Sequence, residues 1–269
     1  MNLNNILNGV NLKSISNMAI DSDTRHLPRR YFDGAIIFYK TDFIPMLFAE
    51  ISSHNNSYKL ITGLSDYAIT EEKFKLKPSC IKKWYAPNAE FKHKDLVPIP
   101  LGLENHNGPP GTKGYWTDWG LWQEYNLTSI YPKGKKIFNN FCLTNHPLRE
   151  SWAGLLENIG FHFTKDKVNY RAYIEEVKQH FLVSSPRGNG LDCHRTWEAL
   201  YFNAIPIVPK HFIYDAFDLP IVQVEKIEDI TTNFIENLIH RYENNEFEIN
   251  KEVLTADYWR NKILKDDFV

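Results

Sequence analysis

The segment with the clearest chemical potential covers residues 181–209 and reads FLVSSPRGNGLDCHRTWEALYFNAIPIVP. A short apolar run ends at Ser184, a glycine-bearing loop follows, and a helix is predicted to begin near His194 or Arg195. A strand, a glycine loop and a helix N-terminus together favour anion binding, because free backbone N–H groups and the positive end of the helix dipole point at the ligand. The segment therefore predicts a binding loop for a phosphate-bearing ligand.

Side chains of this segment fit two parts of a nucleotide. Arg187 and Arg195 can bind phosphate oxygens in a bidentate way, and Gly188 and Gly190 let the backbone approach the ligand. Glu198 lies three residues after Arg195 on the same helix face, where a carboxylate suits the two hydroxyls of a ribose. The alternative is a surface salt bridge between Arg195 and Glu198 above an ordinary glycine turn. Neither GxxxxGK[ST] nor GxGxxG is present, so the segment is neither a P-loop nor a dinucleotide fingerprint.

A second position for chemistry is Asp66, in the loop that follows the predicted strand 58–62. A carboxylate there can act as a general base if the loop opens on the phosphate site. The alternative is that Asp66 caps the next turn, a common role of aspartate in loops. Other candidate bases are Asp33, His54, Glu104 and His106.

Metal and cysteine chemistry are predicted to be absent. Asp21-Ser22-Asp23 is a DxD motif, but it precedes the first predicted strand, whereas a metal-binding DxD follows one. The cysteines are far apart and show no CxxC spacing, which argues against a disulfide framework and against a cysteine-based zinc site. A nucleophilic pair of Cys193 and His194 is implausible, because adjacent residues at a helix start point apart.

The elements that must position these residues alternate between short apolar runs and helix-like stretches. Predicted strands cover 35–39, 58–62, 81–85, 96–99, 137–143, 181–184, 205–208 and 221–224. Predicted helices cover 42–52, 147–158, 169–179, 195–202, 227–242 and 251–264. The pattern stops at 105–134, which begins with a Pro/Gly cluster. It predicts an α/β fold with two Rossmann-like halves and a cleft between them.

Composition narrows the classes of function. The 269 residues contain 31 Lys+Arg and 33 Asp+Glu, a formal charge of −2 that argues against sequence-independent nucleic-acid binding. No apolar run approaches the roughly 20 residues that span a bilayer, and Met1–Asn17 lacks the pattern of a signal peptide. We therefore expect no membrane insertion and a cytoplasmic location.

Aromatic residues are unusually frequent, at 14% of the chain. Phe38, Phe48, Phe181 and Phe202 fall on predicted elements and are assigned to the core. Trp84, Trp116, Trp119 and Trp122 are placed near the cleft or its linker, where flat rings can stack on sugars. The last three lie three residues apart, a spacing that also suits a helix face packed on the core.

The segment SSPRGNGLDCHRTWEALYFNAIPIV resembles the donor-binding signature of exostosin-type glycosyltransferases. It is most similar to the short exostosin-like glycosyltransferases of large algal DNA viruses, which build capsid glycans and include a β-xylosyltransferase. Further matching pieces, in chain order, are LITGLSDYAIT at 60–70, KKWYAPN at 82–88, VPIPLGLEN at 97–105 and NNFCLTNHPLRE at 139–150. The resemblance covers roughly residues 35–224.

This resemblance implies a GT-B-like fold. An acceptor-side Rossmann-like domain would cover 1–134, a nucleotide-sugar domain 135–250, and a C-terminal helix at 251–269 would cross back to the first domain. The implied donor-binding residues are Thr144, Asn145, Arg149, Arg187, Gly188, Asn189, Gly190, Asp192, His194, Arg195 and Glu198. Among them, Glu198 would bind the ribose and the arginines the diphosphate, while Asp192 and His194 would order the loop or touch the sugar.

The implied reaction moves a sugar, with xylose as one candidate, from a UDP-linked donor to a hydroxyl of a glycan or glycoprotein. We expect inversion with Asp66 as the base, no cofactor and no metal, because two arginines can supply the electrostatic work of a metal. The alternative is a non-catalytic module that binds a nucleotide or a glycan.

Overall fold

Two parallel β-sheets organise the described residues, which are 5–104, 129–164 and 169–266 of this computed structural model. Trp116, Trp119, Trp122 and the candidate base His106 lie outside the described residues. The first sheet contains β1 (Met18–Ile20), β2 (Ile36–Lys40), β3 (Tyr58–Gly63), β4 (Ile81–Ala86) and β5 (Leu96–Pro98). The second contains β6 (Lys135–Phe138), β7 (His180–Ser184), β8 (Ile205–Pro209) and β9 (Val222–Val224).

Helices lie before, between and after these strands. The first half contains α1 (Gly9–Lys13), α2 (Ile44–Ile51) and α3 (Glu71–Lys75). The second half contains α4 (Leu148–Asn158), α5 (Tyr170–Gln179), α6 (His194–Tyr201), α7 (Phe212–Asp215) and α8 (Thr232–Glu243), and α9 (Ala256–Lys265) follows near the end of the chain. The predicted α/β architecture with two parallel sheets is therefore confirmed.

Each strand pairs in parallel with its neighbour in the sequence, in the orders β1-β2-β3-β4-β5 and β6-β7-β8-β9. Within the described strands, neither sheet has the reversal of order that marks the binding crevice of a doubly wound sheet. What parallel pairing does guarantee is that the carboxyl ends of all strands in one sheet lie at the same edge. The loops that leave those edges are the elements that can gather functional side chains.

The second sheet buries its two faces in two different cores. Ile137 and Leu182 pack with α4 and α8, whereas Phe138 and Val183, one residue further along, pack with α5 and α6. This follows from the strand geometry, in which successive side chains point to opposite faces. The core on the α5–α6 face also contains the central strands of the first sheet, so the two halves share one continuous core.

The end of the chain returns to the first sheet. Lys59 of β3 is buried, and its Nζ donates a 2.7 Å hydrogen bond to the carbonyl of Ile263, in the last turn of α9. A cation at this place satisfies a free helix carbonyl and complements the helix dipole. The hydroxyl of Tyr201 in α6 donates to the Leu254 carbonyl and accepts from the Leu7 backbone N–H. These bonds join the two chain termini to both halves.

The aromatic assignment is partly wrong. Phe38, Phe48 and Phe202 are buried as predicted, and Phe181 is half-buried against Tyr242. Trp84, however, is 0% exposed and its Nε1 donates to Thr62 Oγ1 at 2.9 Å. It is a core residue because the rings of Phe48 and Phe74 pack against it, with centroids 5.6 and 5.9 Å away. Among the described helices, none has the length and apolar character needed to cross a membrane.

Candidate functional site

Loops from the carboxyl edges of the two sheets meet at one place. Asp66 follows β3, Asn189 lies in the loop between β7 and α6, and Asn189 Nδ2 donates to Asp66 Oδ2 at 3.2 Å. An open pocket of about 370 Å³ lies at this contact. Its lining residues are Lys40, Asp42, Leu64, Ser65, Asp66, Tyr67 and Asn189. The structure thus brings the predicted base and the predicted anion-binding segment, which are more than 100 positions apart in sequence, into direct contact.

The Arg149 side chain, on α4, fixes the 185–193 loop through hydrogen bonds to its carbonyl groups. Its guanidinium is buried and donates from Nε to the Arg187 carbonyl at 2.9 Å, from Nη1 to the Cys142 carbonyl at 2.9 Å and from Nη2 to the Pro186 carbonyl at 3.4 Å. Most of the donor capacity of this side chain is therefore used by the protein itself. The arrangement makes Arg149 a residue that shapes the loop, and a direct contact with diphosphate stays a prediction.

The two loop glycines are explained by packing. A Cβ atom at Gly188 would lie 2.9 Å from Arg149 Nη2, and one at Gly190 would lie 2.9 Å from Asn88 Oδ1. The sequence interpretation gave these positions to a ligand that approaches the backbone. In the structure, protein side chains occupy the space that a side chain at either glycine would need. Asn88 is a site residue that the sequence analysis missed, although it ends one of the matching pieces.

Asp192 and His194 order the loop. The buried carboxylate of Asp192 accepts from the Leu101 N–H at 2.9 Å, from Trp197 Nε1 at 2.8 Å and from the Cys193 N–H at 2.8 Å. Burial raises the pKa of Asp192 to about 6, although these donors oppose the rise. His194 donates from Nδ1 to the Gly102 carbonyl at 2.7 Å, since a carbonyl can only accept. Contact of either side chain with a sugar stays a prediction.

Arg187 and Arg195 are differently placed from Arg149. The Arg195 guanidinium lies over the rings of Tyr173 and Phe141, at 5.0 and 5.9 Å from their centroids. Arg195 Nη1 and Arg187 Nε are buried without a hydrogen-bond partner, and no carboxylate in the described ranges forms an ion pair with either. A buried donor without a partner is costly, by about 1–3 kcal/mol and more when it is charged. These two groups therefore favour the binding of an anion at this junction.

Glu198 lies in the second turn of α6 and is only 4% exposed. Its two oxygens accept hydrogen bonds from the hydroxyls of Tyr170 and Tyr173, at 3.0 and 2.8 Å, and burial raises the pKa of its carboxyl. Within the described residues no ion pair joins it to Arg195, so the salt-bridge alternative is wrong. A carboxylate offers about four acceptor positions, which leaves capacity for hydroxyls of a ligand. The two tyrosines, on α5, were not predicted.

Thr144 and Asn145 are exposed and lie in a 3₁₀ turn, Leu143–Asn145, just beyond the carboxyl end of β6. Because β6 pairs with β7, this turn lies at the same sheet edge as the 185–193 loop. The bond from Arg149 Nη1 to the Cys142 carbonyl links the turn to the loop. Their placement suits a contact with phosphate, which stays a prediction.

Asp66 is exposed, and Asn189 is the one described residue whose side chain bonds to it. The capping alternative is wrong, because Thr70 caps the following helix α3 by accepting from the Lys73 N–H. Two competing bases lie at the opposite edge of the sheet. Asp33 accepts from the Ser57 N–H, just before β3, and His54 bonds to the hydroxyl of Tyr58 at the start of that strand. Glu104, by contrast, lies 3.4 Å from His194 Nε2 at the same edge as Asp66.

The DxD motif follows a strand after all, because β1 ends at Ile20; the expectation from sequence was wrong on this point. Its first carboxylate is nevertheless engaged: Asp21 accepts from the N–H groups of Asp23 and Thr24 and pairs with Lys13 Nζ at 2.5 Å. Across 5–104, 129–164 and 169–266, no cluster of three His, Cys, Asp or Glu side chains could hold a metal.

Cys193 is poorly suited to nucleophilic catalysis. Burial raises the pKa of its thiol, whereas a reactive cysteine needs a lowered one. Its neighbour His194 is engaged by Gly102 and lies near Glu104. The geometry thus supports the rejection of a Cys–His pair.

Comparison with known proteins assigns no family to this chain: no protein-family model matches it, and no curated protein does so. The resemblance to exostosin-type enzymes therefore stays an expectation from sequence. The function must be argued from the chemistry of the site itself.

Proposed function

We propose that this chain is a glycosyltransferase that moves a sugar from a nucleoside-diphosphate donor, most simply a UDP-sugar, to a hydroxyl of a glycan or glycoprotein. The observation that carries the proposal is the pair of guanidinium groups, Arg187 and Arg195, each with a buried N–H group that has no hydrogen-bond partner among the described residues. Arg187 lies in the loop that follows the carboxyl end of β7, and Arg195 lies at the N-terminus of α6. An anion with several oxygens satisfies both groups, and a diphosphate is the natural candidate.

The same two arginines suit the chemistry of transfer. Negative charge grows on the leaving diphosphate as the bond to the sugar breaks, and donors fixed in advance stabilise that charge. Arg195 packs over two aromatic rings and so has less freedom to lose when the ligand binds. With this charge supplied by protein, transfer needs no divalent metal.

Glu198 is proposed to bind the ribose of the donor. It lies on the same helix as Arg195, three residues further on, and Tyr170 and Tyr173 fix its carboxylate. Hydrogen bonds from hydroxyls of a ribose to a buried carboxylate are of the strong, charge-assisted kind. A raised pKa does not prevent this, because either form of the carboxyl can accept.

Asp66 is proposed as the base that removes the proton of the acceptor hydroxyl. It is exposed on the pocket and contacts the tip of the 185–193 loop through Asn189, so an acceptor in the pocket would face the donor. A base positioned opposite the leaving group gives inversion at the sugar carbon. The pocket at Lys40, Asp42 and Tyr67 then belongs to the acceptor side.

A GT-B-like arrangement is proposed for the whole, with an acceptor domain at 1–134, a donor domain at 135–250 and a returning C-terminal segment at 251–269. The support is that loops from the carboxyl edges of both sheets meet, and that α9 bonds to Lys59 of the first sheet.

A thermal-shift screen across UDP-, GDP- and dTDP-sugars tests the proposal. We expect the melting temperature to rise with donor concentration as mass action requires, most strongly with UDP-sugars. Radiolabelled or mass-detected transfer to a glycan acceptor then establishes the activity. The absence of any shift with all three nucleotide classes would contradict the proposal.

A further inference from the structure

The 185–193 loop is held by the first half of the chain as well as by Arg149. Asn88 lies two residues after β4, is 1% exposed, and accepts a 2.8 Å hydrogen bond at Oδ1 from the Asp192 backbone N–H. Its φ angle is +56°, a left-handed conformation that asparagine adopts more readily than most residues. The turn at Asn88 thus directs its amide into the loop of the other half.

Gly190 lies against the same amide. A Cβ atom at Gly190 would be 2.9 Å from Asn88 Oδ1, closer than real Cβ atoms pack, and 3.0 Å from Asn88 Nδ2. A second strand end reaches the loop nearby, since the Leu101 N–H donates to the carboxylate of Asp192. Two consecutive strand ends of the first sheet therefore fix the stretch of loop that leads into α6.

We propose that Asn88 is a positioning residue for the anion-binding loop. Through its hydrogen bond to Asp192 and its contact with Gly190, it sets the loop conformation that holds Arg187 and starts α6 next to Arg195. Binding of the nucleotide by the second half therefore depends on contact with the first half. The nature of the ligand rests on the proposed function, but the order of the loop does not.

Among the described residues, no other group accepts a hydrogen bond from the Asp192 N–H, so no other contact can take over this role of Asn88. The Asp192 N–H is buried, and in the described chain Asn88 Oδ1 is its hydrogen-bond acceptor. Loss of that acceptor leaves a buried donor unpaired, and the loop must move to bring it to water. The consequence is a weaker site, although Asn88 itself need not touch the ligand.

Three variants and a control test the inference. Asn88→Gly keeps the left-handed backbone and removes the amide. Gly190→Ala places a methyl group against the Asn88 amide. The double variant, Asn88→Gly with Gly190→Ala, carries the methyl group but lacks the amide. Gly154→Ala on α4 is the control, because a Cβ there meets nothing within 4 Å. The free energy of unfolding of each variant is measured by urea denaturation, to ensure that all comparisons are made on folded protein.

The first readout is hydrogen exchange of the peptide that covers the loop, measured without ligand. We expect faster exchange in Asn88→Gly and Gly190→Ala than in the wild type and in Gly154→Ala. The second readout is UDP affinity by calorimetry, where each single variant is expected to lose about tenfold. The double variant is expected to bind like Asn88→Gly, because the methyl group no longer meets the amide.

Unchanged exchange in the loop of Asn88→Gly would overturn the inference, and so would full additivity of the two substitutions. A wild type that binds no nucleoside diphosphate would contradict the proposed function instead. In that case the exchange data still decide whether Asn88 orders the loop, so the two failures are distinguishable.

Discussion

Both sheets consist of parallel strands whose carboxyl ends lie at one edge, but the loops that leave these two edges are fixed to different degrees. In the second sheet, the loop after β7 is fixed by the hydrogen bonds of Arg149, Asn88 and Asp192. In the first, Asp66 in the loop after β3 is exposed, and among the described residues the one side chain that bonds to it is Asn189. An anion site gains from donors fixed in advance, whereas a base must reach a substrate that comes and goes.

Two aspartates show the same contrast. Asp192 is buried among several hydrogen-bond donors and shapes the protein, while Asp66 is exposed on the pocket. Both follow a parallel strand and both were candidates from sequence. Burial and the number of bonds, which sequence does not give, separate a structural carboxylate from one available for chemistry.

The largest effect is expected from Asp66→Asn, which removes the proposed base and preserves the shape of the side chain. Transfer should fall by about 10²–10⁴-fold, while donor affinity stays at the wild-type value, since the arginines are untouched. Steady-state transfer and UDP calorimetry measure the two quantities.

The matched control for Asp66 is Asp33→Asn, an exposed carboxylate at the opposite edge of the same sheet, which accepts from the Ser57 N–H. We expect it to retain transfer. Normal transfer by Asp66→Asn would remove this residue from the mechanism. Donor binding by a wild type that transfers no sugar would favour the non-catalytic binding module.

The next largest effect is expected from Arg195→Ala, which changes the proposed anion site at the edge of the second sheet. Loss of the charged guanidinium and its pair of hydrogen-bond donors should weaken UDP binding by about 100-fold. Arg195→Lys should not restore it, because an ammonium lacks the planar fork. Calorimetry against Arg241→Ala, an exposed arginine paired with Glu246, separates this loss from a general effect of charge. Equal affinity in both variants would contradict the proposed site.

A smaller, pH-dependent effect is expected at Asp192. Burial raises its pKa from 3.8 to about 6, so between about pH 4 and 6 the folded state keeps a proton that the unfolded state has released. The free energy of unfolding of the wild type, relative to Asp192→Asn, should therefore fall as pH rises through this window, by about 2 kcal/mol. Urea denaturation of both proteins at pH 4.5 and pH 7 measures the difference. A difference that is constant or rises with pH would show that the carboxylate is stabilised by its donors.

The smallest effect is expected from chelation. With Asp21 engaged by Thr24 and Lys13, and with arginines at the anion site, EDTA should leave both donor binding and transfer unchanged. Dialysed protein assayed with EDTA, with Mg²⁺ and with Mn²⁺ provides the measurement. A loss with EDTA that either metal restores would contradict the metal-free mechanism.

Much of the architecture could be predicted from the sequence. Apolar runs bounded by turn residues located most strands, although β1, with three residues, was too short to detect and the DxD motif was misplaced as a result. Helix positions followed from the spacing of apolar residues, although the helix predicted over 227–242 begins only at Thr232, after its cap Thr231. Strand order could not be predicted, since local patterns carry no information about which strands pair.

The chemical type of the candidate site could be predicted from the sequence, but the roles of several of its residues could not. The sequence by itself determined a strand, a glycine loop and a helix start with two arginines and a carboxylate, because these features depend on residues close together in the chain. Only the tertiary structure decided that Arg149 holds the loop, that Asn88 fills the space beside Gly190, and that Asp66 meets Asn189. These contacts join residues 38, about 100 and 123 positions apart, and their partners are set by the packing of the two sheets on a shared core rather than by local spacing.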